Sequence, residues 1–390
     1  MTARRLQSIA PFHVMALLAR ARQLEATGRD IVHMEIGEPD FATPAPIVAA
    51  GIAALQAGHT HYTPALGLPQ LRAAIARDYQ TRFGVDVSPE RIVVTPGASA
   101  ALQLVTALLV DPGSRVLMTD PGYPCNRNFV HLFDGRPDAV PVDAAQRYQL
   151  DADTLRSHWK SGTVAALIAS PSNPTGTVIP KDGMAALLDA VRERGGHLIV
   201  DEIYQNLYYD SKPYTALELG DDVFVINSFS KYFGMTGWRL GWLVAPPSCI
   251  GSLDILAQNL FLAAPTPAQY AALAAFQADT LTLLEQRREA FRERRDYLLP
   301  ALRALGFEIA CEPEGAFYLY AGCGGFSDDS FDFAHRLLET AGVAVTPGID
   351  FGVSQAQRHL RFAYTTSLER LQLGVQRLGD FVRPEHGANV

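Results

Sequence analysis

Residues 223–231, VFVINSFSK, join a run of apolar side chains to a group of polar ones. The first four of these residues are consecutively apolar, which is typical of a strand that is buried on both faces of a sheet. Ser228, Ser230 and Lys231 follow where such a strand would end. In open sheets of parallel strands, ligands bind beyond the carboxyl ends of the strands. The segment therefore predicts a buried strand with a chemical site at its end.

The same alternation of apolar runs and helical patterns extends over residues 91–244. The predicted strands are Arg91–Val94, Arg115–Met118, Thr163–Ala169, His197–Val200, Val223–Ile226 and Trp238–Val244, with helices predicted at Ala98–Leu109 and Met184–Arg192. Gly97, Asp120, Asn173 and Asp201 each lie just past a predicted strand. We therefore expect an α/β fold with a mostly parallel central sheet, and we expect these residues to meet in one cleft.

A second unit follows a long helical pattern at residues 267–305. Its predicted elements are apolar runs at residues 307–310, 316–320, 343–345 and 359–363 and helices near residues 331–340 and 367–382, with a further helix predicted near the start of the chain at residues 11–27. A chain of 390 residues exceeds the size of one compact domain, so about two domains are expected. The second unit is therefore predicted to be a smaller α+β domain.

Composition excludes several classes of protein. The formal net charge of −8 argues against nonspecific binding of nucleic acid. No apolar run approaches the roughly 20 residues that a membrane-spanning helix needs, and no signal peptide is predicted. The cysteines, which are Cys125, Cys249, Cys311 and Cys323, lack C-x-x-C spacing, so neither a zinc site nor a disulfide framework is predicted and a cytoplasmic location is expected. His59 and His61 lack an obvious third ligand, so no metal site is expected.

Several motifs occur in a fixed order along the chain. They are Gly37-Glu38-Pro39-Asp40, Asn173-Pro174-Thr175-Gly176, Asp201-Glu202-Ile203-Tyr204, the segment from Asn227 to Arg239, and Arg361-Phe362-Ala363. Together they resemble the class I/II pyridoxal-phosphate-dependent aminotransferases of the aspartate aminotransferase fold, which is fold type I. The resemblance spans nearly the whole chain. Residues 228–231 alone would also match the S-x-x-K motif of serine acylases, but the S-D-N and K-T-G motifs of those enzymes do not occur here.

The resemblance implies a fold and a division into domains. The fold is a three-layer sandwich with a mostly parallel central sheet and a smaller α+β domain. The implied boundaries are residues 1–45 for an N-terminal arm and part of the small domain, residues 46–280 for the large cofactor-binding domain, and residues 281–390 for the C-terminal small domain.

The resemblance also implies catalytic roles. Lys231 would form a Schiff base with pyridoxal 5'-phosphate and then act as the catalytic base. Asp201 would pair with the pyridinium nitrogen, and Tyr204 and Asn173 would contact the phenolic oxygen, while Tyr123 would stack on the ring. Simpler interpretations remain open at this stage, since Asp201 could cap a helix, Tyr204 could be a core residue and the prolines around Asn173 could form only a turn.

A phosphate site is implied where a helix is predicted to begin. Gly97, Ala98 and Ser99 would offer unpaired N–H groups to the phosphate, and Ser228 and Arg239 would complete the site, with Ser230 as a further candidate. Tyr62 resembles a tyrosine that this family contributes from the neighbouring subunit, which implies a homodimer with shared active sites.

The substrate site is implied by residues from both ends of the chain. Arg361 would bind the α-carboxylate as a planar fork, Asn173 would contribute to the same site and Gly37 would approach the substrate by its backbone. Arg361 could alternatively pair with a structural carboxylate. Members that act on acidic substrates carry a lysine where Ser99 stands, so this chain departs from their pattern. Contributors to the side-chain pocket could include Ile9, Tyr62, Asn259 and Phe351.

The function implied by these residues is the transfer of an amino group from an L-amino acid to a 2-oxo acid by a ping-pong mechanism. The motifs do not separate this activity from related reactions on the same fold, such as a C–S β-lyase or a cyclopropane-forming synthase. A regulator that fuses an aminotransferase-like domain to a DNA-binding domain is disfavoured by the acidic net charge.

Overall fold

The computed structural model describes residues 2–9 and 11–386. The α-helices are α1 (His13–Ala26), α2 (Ala45–Gln56), α3 (Pro69–Phe83), α4 (Ala98–Leu109), α5 (Pro124–Leu132), α6 (Ala152–His158), α7 (Lys181–Arg192), α8 (Ile250–Leu260), α9 (Thr266–Ala272), α10 (Ala278–Ala304), α11 (Ser330–Arg336) and α12 (Leu368–His386). The strands are β1 (Val32–His33), β2 (Ile92–Thr95), β3 (Arg115–Asp120), β4 (Arg136–Pro141), β5 (Thr163–Ala169), β6 (His197–Asp201), β7 (Phe224–Ser228), β8 (Gly241–Val244), β9 (Tyr318–Gly322), β10 (Val343–Ala344), β11 (Thr346–Pro347) and β12 (His359–Ala363). No helix among the described residues is long and apolar enough to cross a membrane.

The central sheet has seven strands in the order β2-β8-β7-β6-β5-β3-β4. Neighbours from β7 to β4 pair in parallel, whereas β8 runs antiparallel to both β7 and β2. Every residue of β2, β7 and β8 is buried, because helices cover both faces of the sheet. This sheet confirms the predicted α/β fold with a mostly parallel sheet.

Two segments of the sheet differ from the sequence-based expectation. The strand predicted from Trp238 begins only at Gly241, because Thr236–Trp238 forms a 3₁₀ turn and Arg239 adopts a left-handed backbone conformation with φ of 54°. Strand β4 was not predicted, because most of its residues are polar or proline and partly exposed at the edge of the sheet. Apolar runs in the sequence therefore predict the central strands but not the edge strand β4.

A second group of strands lies apart from the central sheet. Strands β11, β12 and β9 form an antiparallel sheet, and β1 near the start of the chain pairs with β10, where Val32 aligns with Val343. The helix predicted at residues 267–305 is two helices, since Gln277 is extended and separates the turn after α9 from α10. The domain boundaries at residues 45 and 280 stay a prediction.

Candidate active site

A cleft of about 370 Å³ opens at the carboxyl ends of the central parallel strands. Asp201 ends β6, Ser228 ends β7 and Asn173 follows β5. The predicted site residues that line this cleft are Gly37, Ala98, Ser99, Tyr123, Asn173, Asp201, Tyr204, Ser228, Ser230, Lys231, Arg239 and Arg361. Gly97 directly precedes the first helical residue of α4 at its rim. The fold therefore brings these side chains together from distant parts of the sequence.

Lys231 carries the amine of the cleft. Its Nζ donates a hydrogen bond to the carbonyl oxygen of Gly37 at 2.7 Å. Burial lowers the pKa of Lys231 to about 8, and the positive charges of Arg361 and Arg239 act in the same direction, whereas Glu38 opposes them. A much larger fraction of this amine than of an ordinary lysine is therefore neutral, and so nucleophilic, near neutral pH.

Asp201 supplies a buried carboxylate to the same cleft. Its Oδ1 accepts a hydrogen bond from the backbone N–H of Ile203 at 3.1 Å. Burial raises the pKa of Asp201 to about 6, while that hydrogen bond and the charge of Lys231 act against the rise. Residues 202–206 contain turns and no helix, so Asp201 does not cap a helix. A buried carboxylate in this position is stabilised by a cationic partner in the cleft.

Two tyrosine hydroxyl groups meet beside the amine. The Oη atoms of Tyr204 and Tyr318 are 2.7 Å apart, and both side chains are buried. One of the two hydroxyl groups donates to the other, so the hydroxyl that accepts keeps its own hydrogen to donate elsewhere. A Cβ on Gly37 would lie only 1.9 Å from the Oη of Tyr318, so this position has room only for glycine. Sequence reasoning missed Tyr318, because a tyrosine within an apolar run is typical of a core strand.

An anion site lies at the amino end of α4. Gly97 precedes the helix without any side-chain cap, which leaves N–H groups of the first turn available. A Cβ on Gly97 would lie 2.6 Å from the Nη2 of Arg239, and a Cβ on Gly241 would lie 2.7 Å from the backbone nitrogen of Ala98. Glycines therefore keep this end of the helix open while a guanidinium group lies against it. Ser228 adds a buried hydroxyl to the same lining.

Arg361 presents a buried guanidinium group from β12. Its Nη1 donates to the Oδ1 of Asn173 at 3.0 Å, and its Nη2 donates to the carbonyl oxygen of Glu35 and to the Oγ1 of Thr346. None of these partners is a carboxylate, and the Nε of Arg361 is buried without a partner among the described residues. The alternative that Arg361 pairs with a structural carboxylate is therefore not what the structure shows. Donors remain for an anion in the cleft.

Of the other site residues that the sequence predicts, some line the cleft and some lie outside it. Tyr62 is 82% exposed and does not line the cleft of its own chain. Phe351 lines the cleft, but Ile9 does not, and the exposed Asn259 bonds the carbonyl oxygen of Ile255 within α8. Tyr123 lines the cleft, and burial raises its pKa well above the usual value.

No group of three or more metal-ligating side chains that could hold a metal ion occurs among the residues described by the structure. The ring of His59 stacks on Tyr270 with the ring centroids 4.1 Å apart. The cysteines of this part of the chain are all unpaired.

Comparisons with known proteins place the chain in a family. The family model for aminotransferase class I and II matches residues 29–378. The (5-formylfuran-3-yl)methyl phosphate transaminase of Methanocaldococcus jannaschii is 37% identical over 98% of this chain and 100% of that protein. The valine–pyruvate aminotransferase of Mycobacterium tuberculosis is 36% identical over 96% of this chain and 97% of that protein.

Solved structures show the same relationship. An aminotransferase from Mycobacterium tuberculosis superposes with a TM-score of 0.95 at 35% identity and covers 98% of this chain and 99% of its own. The aspartate aminotransferase of Thermus thermophilus with maleate gives a TM-score of 0.92 at 34% identity, over 97% and 99% of the two chains.

Pyridoxal phosphate is the cofactor of this family, and the cleft fits it. The open amino end of α4 beside Arg239 suits the phosphate, the amine of Lys231 suits the aldehyde, and the buried carboxylate of Asp201 suits a protonated ring nitrogen. The chain belongs to the class I and II aminotransferases and is a pyridoxal-phosphate-dependent aminotransferase of the aspartate aminotransferase fold.

Proposed function

We propose that this cleft transfers an amino group from an L-amino acid to a 2-oxo acid by a ping-pong mechanism in which Lys231 is the catalytic amine. One observation carries the proposal. The amine of Lys231, with its pKa lowered to about 8, lies in one cleft with the buried carboxylate of Asp201 and the guanidinium group of Arg361. A nucleophile, a buried anion and a carboxylate-binding fork are the groups that transamination requires.

The side chains divide between holding the cofactor and doing chemistry. Gly97, Ala98, Ser99, Ser228 and Arg239 would hold the phosphate at the amino end of α4. Tyr123, Asn173, Asp201 and Tyr204 would hold the ring. When bound, pyridoxal phosphate supplies an aldehyde that accepts the amino group and a ring that accepts electrons.

Asp201 is suited to keep a proton on the ring nitrogen, because a cationic partner offsets the desolvation cost of its buried carboxylate. The neutral amine of Lys231 can take the proton from the Cα of the substrate and return it elsewhere, since its lowered pKa increases the fraction of the amine that is neutral. The Tyr204–Tyr318 pair keeps one O–H that can donate to an oxygen in the cleft.

Arg361 is the proposed anchor of the substrate carboxylate. Asn173 and the carbonyl oxygen of Glu35 fix the orientation of its guanidinium plane, and the ring of Tyr318 lies 4.3 Å from its Cζ. A fork held in one plane binds the carboxylate in one orientation, and this orientation fixes the direction of the Cα–H bond.

The role of Lys231 can be tested by mapping, because the chain contains only four lysines, Lys160, Lys181, Lys212 and Lys231. After borohydride reduction of the cofactor-loaded enzyme, the pyridoxyl label is expected on Lys231 alone. Lys231→Ala should abolish turnover and leave the fold intact, whereas the control Lys160→Ala, at an exposed position, should keep both label and activity. A label on another lysine would refute the assignment.

The reaction type needs a separate measurement. Incubation with amino acids should convert the cofactor to its aminated form, and a 2-oxo acid should reverse the change without release of ammonia. Release of ammonia from cysteine conjugates without any 2-oxo acid, at a rate above that of transamination, would instead assign the C–S β-lyase reaction.

We further propose that the enzyme is a homodimer in which Tyr62 reaches the phosphate site of the partner subunit. Two observations support this assembly. Tyr62 is 82% exposed, and apolar side chains are exposed on α2 and on α8 with the turn that follows it: Val48, Ile52, Leu55, Ile255, Leu260 and Leu262. Exposed apolar groups of this kind favour contact with another chain.

Mixed dimers test the shared site. Lys231→Ala and Tyr62→Glu should each be inactive as homodimers, the second because its carboxylate would repel the phosphate. Refolding the two variants together should restore activity, since one of the two sites in the mixed dimer would contain neither change. A fully active monomer at assay concentration would contradict the proposal.

A cytoplasmic location is proposed as well, and the unpaired cysteines support it.

A further inference from the structure

The charges that line the cleft limit which substrates it can hold. In the part of the chain that the structure describes, the cationic side chains in the lining are Lys231, Arg239 and Arg361. The proposed function uses all three, for the reactive amine, the phosphate and the α-carboxylate. A substrate with a carboxylate in its side chain would need a further cation, because a charge that is taken from water without a partner is strongly destabilised.

Part of the lining near Arg361 is apolar. Val14 and Met15 come from the start of α1, Phe12 directly precedes the helix, and Ile36 and Phe351 come from other segments. We call these five residues the apolar wall. The ring of Phe351 lies 4.9 Å from the Cζ of Arg361, so the wall begins beside the proposed carboxylate anchor. A substrate held by Arg361 therefore has apolar groups close to its side chain.

Asp350 links two parts of the apolar wall, which are the start of α1 and the loop that carries Phe351. Its carboxylate accepts hydrogen bonds from the backbone N–H groups of His13 and Val14 at 2.9 and 2.8 Å. These bonds cap the start of α1, where Phe12 provides no side-chain cap. Asp350 directly precedes Phe351, so one residue fixes α1 and the loop that carries Phe351 relative to each other.

The same loop is also fixed to the central domain. The backbone N–H of Gly122 donates to the carbonyl oxygen of Phe351 at 2.9 Å, and the Nη2 of Arg127 donates to the carbonyl oxygen of Asp350 at 2.8 Å. The carboxylate of Asp120 accepts from the N–H of Val353 at 3.0 Å. The start of α1 and the loop that carries Phe351 are thus held in place by hydrogen bonds to each other and to residues 120–127.

Glu35 is a further polar residue of the lining, and it adds no cation for an acidic substrate. Glu35 is fully buried and belongs to the lining of the cleft. Its Oε1 pairs with the Nδ1 of His33 at 2.7 Å, and its Oε2 is buried without a partner among the described residues. The hydrogen bond to Glu35 raises the pKa of His33 to about 9, so a protonated His33 offsets the charge of Glu35, and the carboxylate of Glu35 offers no donor to a second carboxylate.

We propose that both substrates of this enzyme carry apolar side chains and that the apolar wall selects them. The inference rests on the proposed function, because it takes Arg361 as the anchor and a ping-pong mechanism as the reaction. In such a mechanism the amino acid and the 2-oxo acid occupy the same pocket in turn. The acceptor should therefore lack a side-chain carboxylate, as the donor does.

The first experiment uses the cofactor-loaded enzyme and follows the absorbance of the cofactor during each half-reaction. Leucine, valine, methionine and phenylalanine should react with a higher kcat/KM than aspartate or glutamate by at least about tenfold. 4-Methyl-2-oxopentanoate should likewise exceed 2-oxoglutarate. A preference for the dicarboxylates would overturn the inference alone, and it would mean that the partner subunit supplies the missing cation. The absence of any half-reaction would instead overturn the proposed function.

Binding without turnover gives an independent readout. 4-Methylpentanoate and succinate lack an amino group, so calorimetric titration reports only their fit to the pocket. The monocarboxylate should bind more tightly than succinate, and the reverse order would overturn the inference.

A change in the apolar wall should alter the preference in a defined direction. Met15 is 58% exposed at the edge of the cleft, so a long polar side chain can be accommodated there. Met15→Arg should raise the ratio of kcat/KM for glutamate to that for leucine by about tenfold, since it adds a charged donor for the second carboxylate. The matched control Met15→Gln adds a polar group of similar length without charge and should leave the ratio within about threefold of the wild type. An equal effect of both variants would refute the role of charge at this wall.

Discussion

Replacing Gly97 with alanine adds one carbon atom, the Cβ, at the proposed phosphate site and so tests that site. Gly97 has φ of 83° and ψ of 168°, which is a conformation that is almost restricted to glycine. The added Cβ would lie 2.6 Å from the Nη2 of Arg239 and 3.2 Å from its Cζ. The guanidinium group must therefore move away from the amino end of α4, although no charged group is removed.

Two effects follow, and they can be measured separately. The strained backbone should lower the free energy of unfolding by about 1–3 kcal/mol. Displacement of the guanidinium group removes a charge-assisted hydrogen bond to the phosphate, which contributes about 1.5–3 kcal/mol. Since about 1.4 kcal/mol corresponds to a factor of ten, the dissociation constant of the cofactor should rise by between about tenfold and about a hundredfold.

The assay is a titration of the cofactor-free protein with pyridoxal phosphate, followed by absorbance, together with urea unfolding of the cofactor-free protein. Gly237→Ala is the matched control, since it makes the same change two residues from Arg239 with no atom within 4 Å of the added Cβ. It should change neither quantity appreciably. If Gly97→Ala bound the cofactor as tightly as the wild type, Arg239 would not contribute to the phosphate site in the proposed way.

Three further outcomes are expected. Asp201→Asn should retain the cofactor but slow the half-reaction by about a hundredfold or more, because an amide cannot hold the proton on the ring nitrogen; a loss of only a few-fold would contradict the role. Arg361→Leu should weaken all amino acids and 2-oxo acids by a similar factor of about a hundred in kcat/KM, and a selective loss for one class of side chain would show that Arg361 does not bind the shared carboxylate. Because burial lowers the pKa of Lys231 to about 8, the rate at which the cofactor-free enzyme captures pyridoxal phosphate should rise with pH and reach half its maximum near pH 8, as the amine loses its proton. Stopped-flow absorbance gives this profile, and a midpoint near the ordinary lysine value would be inconsistent with a desolvated amine.

Sequence patterns predicted those parts of the fold that depend on local burial. Strand β5 and helix α4 have the predicted bounds, because continuous apolar runs and helical spacing reflect their surroundings directly. The residues at strand ends were found because parallel strands place their carboxyl ends together. Strand β4 was missed because most of its side chains are at least partly exposed at the edge of the sheet.

Contacts between distant segments were beyond the reach of sequence patterns. Arg361 bonds Asn173 across 188 residues and the carbonyl oxygen of Glu35 across 326 residues, and nothing in the local sequence of any of these segments specifies the pairing. Thr346 and Tyr318 join the site only through such contacts. Tyr62 lies outside the cleft of its own chain, and its proposed role depends on the second chain of the proposed dimer.

The pairing of β1 with β10 sets an order of events during synthesis. Val32 aligns with Val343, so 311 residues must be added before β1 meets its partner. At about 5–20 residues per second, the start of the chain waits on the order of 15 to 60 s. Helix α1 also contacts β10 and β11, so during that time its buried face, with Leu17, Ala21 and Leu24, lacks these partners. The segment around α1 and β1 thus leaves the ribosome long before its partners, and it is a segment that a chaperone would meet with its apolar face exposed.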